Sequence, residues 1–176
     1  MSYATRKFGF GAALMMSSAL VINPGLRPAP AYEATLTGAM ALELRGTTAE
    51  YGAAPGSPEP FVITLGATGV ITLGATGERG AIVFTCWDGR QPRVGTYAIT
   101  GEPSPDGIQA LVVTGPATRP TGVFRAERGS LVITRSGRQG ISAHFQMAAV
   151  GFTAAEPEQE DHRLSVRGAF TATPSR

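Results

Sequence analysis

Polar and apolar residues alternate most regularly between Gly140 and Ala172. The odd positions Ile141, Ala143, Phe145, Met147 and Ala149 are apolar, with Ser142, His144 and Gln146 between them. After an acidic break, Leu164, Val166 and Phe170 alternate with Arg163, Ser165, Arg167 and Thr171. A two-residue period sends successive side chains to opposite faces of a pleated strand, one buried and one wet. The two runs are predicted to be neighbouring strands of an antiparallel sheet.

The same period recurs upstream. Leu36, Met40, Leu42 and Leu44 alternate with Thr37, Ala39, Ala41 and Glu43, which predicts one long first strand, and Gly46 to Pro60 reads as a loop rich in small and turn-forming residues. The octet Val62 to Gly69 is then repeated without change at Val70 to Gly77. Two copies are too few for a solenoid. A three-residue hairpin loop at Ala67-Thr68-Gly69 would place Leu65 opposite Ile71 and Ile63 opposite Leu73, with Gly69 at positive φ. Further strands are predicted at Ala81–Trp87, Gly95–Ile99 and Ile108–Thr114. Gly122–Ala126 and Ser130–Arg135 read as a hairpin about Glu127-Arg128-Gly129, and Ser136-Gly137-Arg138 turns the chain into the stretch described first. The expectation is an all-β chain, an antiparallel β-sandwich or barrel of about nine strands, forming one domain over residues 32–176.

The first 31 residues follow a different grammar. Arg6 and Lys7 precede an apolar run from Phe8 to Ile22, and Ala29-Pro30-Ala31 has the small-residue spacing of a cleavage site. This is the layout of a secretory signal peptide cut after Ala31, so the expected location is periplasmic or extracellular in a bacterium. The competing reading is a retained N-terminal anchor, in which case this segment alone would contact membrane. The chain's pI near 9 comes from this leader. Without it, twelve basic residues, all Arg, face thirteen acidic ones, which removes the main support for a nucleic-acid partner. Cys86 is the only cysteine and shares parity with Ile82 and Phe84, so it is expected to be buried as a small hydrophobe. No intramolecular disulfide can form, and no thiolate metal site can be built.

Several segments resemble small secreted bacterial β-sandwich domains of unknown function. These are Gly95-Thr96-Tyr97, Gly129-Ser130-Leu131-Val132-Ile133-Thr134, Ile141 to Ala149, and Val166-Arg167-Gly168-Ala169-Phe170-Thr171-Ala172. The third segment departs from the usual pattern, with Ala143 and His144 where Gly and Thr are common. The resemblance implies a fold and supplies no catalytic residues.

Candidate chemistry is sparse. His144 lies on the polar face of its run, while His162 has the parity of Leu164, so the alternation does not point both at one site. Glu160-Asp161-His162 is the only local grouping resembling a metal site, and no cofactor is expected. No Gly-x-Ser-x-Gly is present. What remains is surface charge: a basic group of Arg119, Arg125, Arg128, Arg135 and Arg138, and an acidic group of Glu156, Glu158, Glu160 and Asp161. Opposed patches of this kind steer partners. The expected function is therefore non-catalytic: an exported domain acting through its surface on a protein partner, as a binding module or as an accessory subunit of an envelope or membrane complex. The alternative is a carrier of a small apolar ligand in a barrel mouth, lined by Trp87, Tyr97 and phenylalanines.

Overall fold

The computed structural model describes residues 29–53, 60–66, 80–104, 106–116, 119–158 and 161–175. Among them there is no helix. Ten strands form one sheet: β1 (Tyr32–Gly38), β2 (Leu42–Gly46), β3 (Ala49–Ala53), β4 (Phe61–Leu65), β5 (Gly80–Cys86), β6 (Gly95–Thr100), β7 (Ile108–Thr114), β8 (Gly122–Gly137), β9 (Gly140–Thr153) and β10 (His162–Pro174).

The pairing returns to its starting point. β3 pairs β4, and the chain of pairs continues through β5, β7, β8, β9 and β10, which pairs β3 again. The molecule is thus a barrel closed by hydrogen bonds, and closure removes the exposed edges of an open sheet. Seven strands in a ring cannot alternate direction throughout, so one junction must be parallel. It is the short β10–β3 contact, Thr173 to Glu50 and Pro174 to Tyr51. The same parity rule explains the single parallel bridge between Ile99 of β6 and Ile108 of β7, which both run antiparallel to β8. β1 and β2 extend the sheet from the N-terminal part of β10.

Among the described residues the inward positions are apolar apart from the buried Thr114 at the end of β7. Ile63, Ile82, Phe84, Val112, Phe124, Leu131, Phe145, Val166 and Phe170 are all buried. Phe84 lies 5.1 Å from Phe145 and 5.8 Å from Phe170, ring centre to ring centre, so a β5 side chain crosses the interior to meet β9 and β10. Trp87 lies on the outside instead, 46% exposed, and donates its indole N–H to Gln109 Oε1 at 2.8 Å. Tyr97 packs against the core edge and donates its hydroxyl to the Arg93 carbonyl.

The paired strands over residues 140–172 are β9 and β10, in register from His162↔Gly151 to Ala172↔Ile141. Four expectations are corrected. Residues 36–44 are not one strand: β1 and β2 reverse at Gly38, whose φ of 113° and close approach to the Arg163 carbonyl exclude a side chain. The stretch 46–60 contains β3, with Ala49 and Tyr51 turned inward. The segments around Glu127 are one strand, β8, in which Glu127 is the extra residue of a bulge between Ala126 and Arg128. Finally, Leu65 is flanked by Ala49 on β3 and Ile82 on β5, which leaves no free edge beside it for Ile71. Ile71, Leu73 and Gly69 themselves lie outside the described residues.

Cys86 is buried on the face that carries Ile82 and Phe84. Burial, aided by the nearby Asp88 carboxylate, pushes its thiol pKa up to about 12. The folded state therefore holds this proton more tightly than the unfolded chain. The associated stability is complete below the ordinary thiol pKa and is lost as pH rises toward 12. Urea titrations between pH 9 and 11 should show stability falling by up to about 1.4 kcal/mol per pH unit from this group. The slope should be absent in Cys86→Ala, and native Cys86 should react slowly with thiol reagents at pH 8. Equal slopes in the two proteins would contradict the assignment.

Candidate functional site

Outward side chains of β2, β1, β10, β9 and β8 line one groove, at the place where β1 and β2 leave the ring at β10. Register aligns them in two rows. The first is Arg45, Glu33, Ala169, His144 and Val132; the second is Glu43, Thr35, Arg167, Gln146 and Ser130. Together they line a groove of about 560 Å3. Ala169 is the shortest side chain of the first row and forms the floor between Glu33 and His144. Strands spaced at ~4.8 Å give the five-strand surface a width of roughly 19 Å.

The local sequence dictates this polarity. Each polar residue alternates with an inward apolar one: Glu33 and Thr35 flank Ala34, Arg167 stands beside Val166, and His144 and Gln146 flank Phe145. The inward set is anchored in the core, so the outward set is held on a rigid backbone. Two carboxylates, Glu33 and Glu43, balance two guanidinium groups, Arg45 and Arg167, and Arg45 Nη2 lies 3.7 Å from Glu43 Oε2. His144 and Gln146 add groups that both donate and accept hydrogen bonds. The arrangement suits a neutral or zwitterionic polar partner that exchanges hydrogen bonds along its length. Among the described residues, no group of three or more His, Cys, Asp and Glu could hold a metal ion.

The five arginines singled out by sequence are dispersed. Arg125, Arg128 and Arg135 follow one another along β8, where ten residues of strand span about 33 Å. Arg125 pairs with Glu102 at 3.6 Å, and the bulged Glu127 pairs with Arg163 at 3.2 Å. Such exposed pairs contribute little. Arg138 sits in the β8–β9 turn, and Arg119 lies at the opposite end of β8 in the connection from β7. The acidic connection between β9 and β10 is at Arg119's end, since Ala154 N–H donates to the Thr121 carbonyl. Glu156 and Glu158 are exposed there, as is Asp161; Glu160 lies outside the described residues. Glu156 Oε2 comes within 3.0 Å of His162 Nε2, although the approach does not have hydrogen-bond geometry. The fold thus places Arg119 at the end that carries the acidic connection and Arg138 at the opposite end of β8.

The groove residues were the ones sequence reasoning missed. Arg167, His144 and Gln146 are recognisable as outward-facing on their own strands. The docking of the first strand onto the last, which adds Glu33, Thr35, Glu43 and Arg45, has no local signal. A smaller apolar strip crosses the outside of β9, β8 and β7, where Phe152, Val123 and Val113 stand in register and Leu111 is also exposed. No protein family, curated protein or solved structure matches the chain, so the case for a site rests on this geometry.

Proposed function

We infer that the chain is an exported, non-catalytic β-barrel domain that works by holding a protein partner on its surface. The partner contact is the two-row polar groove, and the setting is a binding module or accessory subunit of an envelope or membrane complex. The observation that carries this reading is the groove: ten outward positions from five strands, with balanced charge, on a scaffold whose backbone is fixed by the core beneath. Supporting it, the interior is occupied by aromatic and aliphatic side chains, and the one thiol is buried and held protonated. The leader at residues 1–31 supports export.

Charge reversal tests the reading. Tagged protein purified from the source organism should bring down a reproducible partner, identified by mass spectrometry. Glu33→Arg combined with Arg167→Glu should lower its recovery at least tenfold while leaving the melting temperature within about 2 °C, because both side chains are solvent-exposed. An equivalent pair on β8, Arg125→Glu with Glu127→Arg, should leave recovery unchanged. Undiminished recovery with the groove pair would assign the contact elsewhere.

A further inference from the structure

β2 ends the sheet beyond β1, and among the described residues nothing pairs with its far side. The direction of its backbone groups follows from β1. Thr171 N–H donates to the Ala31 carbonyl and Ala39 N–H donates to the Arg163 carbonyl, both in register with the β1–β10 ladder. Odd-numbered residues of β1 therefore bond to β10 and even-numbered ones to β2, because the two sides of an antiparallel strand alternate. Ala34 thus bonds to Leu44, and Glu43 and Arg45 point their N–H and C=O groups away from the sheet. Their side chains stand on the groove face, 69% and 64% exposed, while Leu44 is buried on the other face.

We propose that a second copy of the chain pairs with this edge, β2 against β2, antiparallel about a two-fold axis at Leu44. The sequence Leu42-Glu43-Leu44-Arg45-Gly46 is self-complementary in that arrangement. Glu43 of each copy faces Arg45 of the other, and each such pair exchanges backbone hydrogen bonds from the groups that the strand leaves free. Centring the axis on Glu43 or on Arg45 would instead oppose like charges and shorten the ladder. Like charges directly opposite each other destabilise a sheet, and opposite charges support it. An isologous contact closes on itself, so the free edge ends in a dimer and not in a growing stack. The contact also joins the two grooves. The row ending in Glu33 and Arg45 of one copy runs on into Glu43, Thr35 and Arg167 of the other. Nothing in the contact depends on what the groove holds. An edge of five residues is a small interface, so the dimer is expected to dissociate on dilution.

The chain as recovered from the source organism, freed of copurifying protein, should show a monomer–dimer equilibrium by sedimentation between roughly 1 μM and roughly 1 mM. Glu43→Arg or Arg45→Glu alone opposes like charges at both facing positions and should weaken the dimer at least tenfold. Both side chains are exposed, so these variants should fold as the parent does. An equimolar mixture of the two variants restores opposite charges throughout and should regain dimer to within about threefold of the parent. A parent that stays monomeric overturns the proposal, as do single variants that dimerise undiminished or a mixture that does not recover. A second measurement reads the register. In a Cys86→Ala background, Glu43→Cys protein should form a disulfide with Arg45→Cys protein at least tenfold faster than either forms with itself. Only the mixed pair sets the two Cα atoms about 5.5 Å apart, within disulfide reach. Equal rates would put the axis elsewhere and equally overturn the proposal. No groove partner is present in either measurement, so this contact and the groove's role stand or fall separately.

Discussion

Gly168→Val should collapse the stability of the domain. Gly168 occupies an inward position at the middle of β10, facing Ala34 on β1 and Phe145 on β9. A Cβ there would fall on the Glu33 carbonyl oxygen and reach 2.7 Å from the Phe145 ring and 2.9 Å from the Ala34 methyl group. β10 is paired on both sides at this point, so neither the backbone nor the Phe145 ring has room to yield. Overpacking of this kind costs about 3 kcal/mol or more when relief is blocked. For a domain of this size that lowers the melting temperature by roughly 10 °C. Gly137→Val is the control, since a Cβ at Gly137 meets nothing within 4 Å. The measurement is urea unfolding of both variants beside the parent. A Gly168→Val protein within 1 kcal/mol of the parent would show that the ring and strand move more freely than their packing implies.

Phe84→Ala should cost about 3–5 kcal/mol, the range for emptying a fully enclosed phenylalanine site. The ring is fully buried, and its partners Phe145 and Phe170 come from walls not adjacent to β5. Truncation therefore leaves a void at the centre of the barrel that no single strand can fill by shifting. Against total stabilities of about 5–15 kcal/mol, such a loss is a large fraction of what holds the domain together. Phe152→Ala, at a site 38% exposed on the outer wall, should cost less than about 1 kcal/mol. Comparable losses at the two positions would mean that Phe84 does not bridge the interior.

The strands that sequence revealed are those whose pattern is local. Ile141 to Ala149 and Leu164 to Phe170 alternate without interruption, and the buried parity of Cys86 follows from Ile82 and Phe84 alone. The β1–β2 reversal was hidden because Leu36 and Leu42 face each other across the sheet with both side chains inward, so the even-numbered apolar positions continue unbroken through the turn. Glu127-Arg128-Gly129 has the composition of a turn and also shifts the parity of the inward residues, from Phe124 and Ala126 to Leu131 and Ile133. A bulge has the same signature. Only the uninterrupted run of β9 alongside shows that the strand goes straight on. The groove was the least legible, since its two rows are assembled from strands up to 136 positions apart in sequence, Glu33 facing Ala169.

The ring is closed by its last strand. β10 pairs with β1, β3 and β9, and the Thr171 N–H donates to the Ala31 carbonyl at the start of the domain. The barrel thus cannot close while residues 162–175 are still inside the ribosome. During synthesis the chain has unsatisfied strands at both ends of the unfinished sheet, and its longest-range pairings form last.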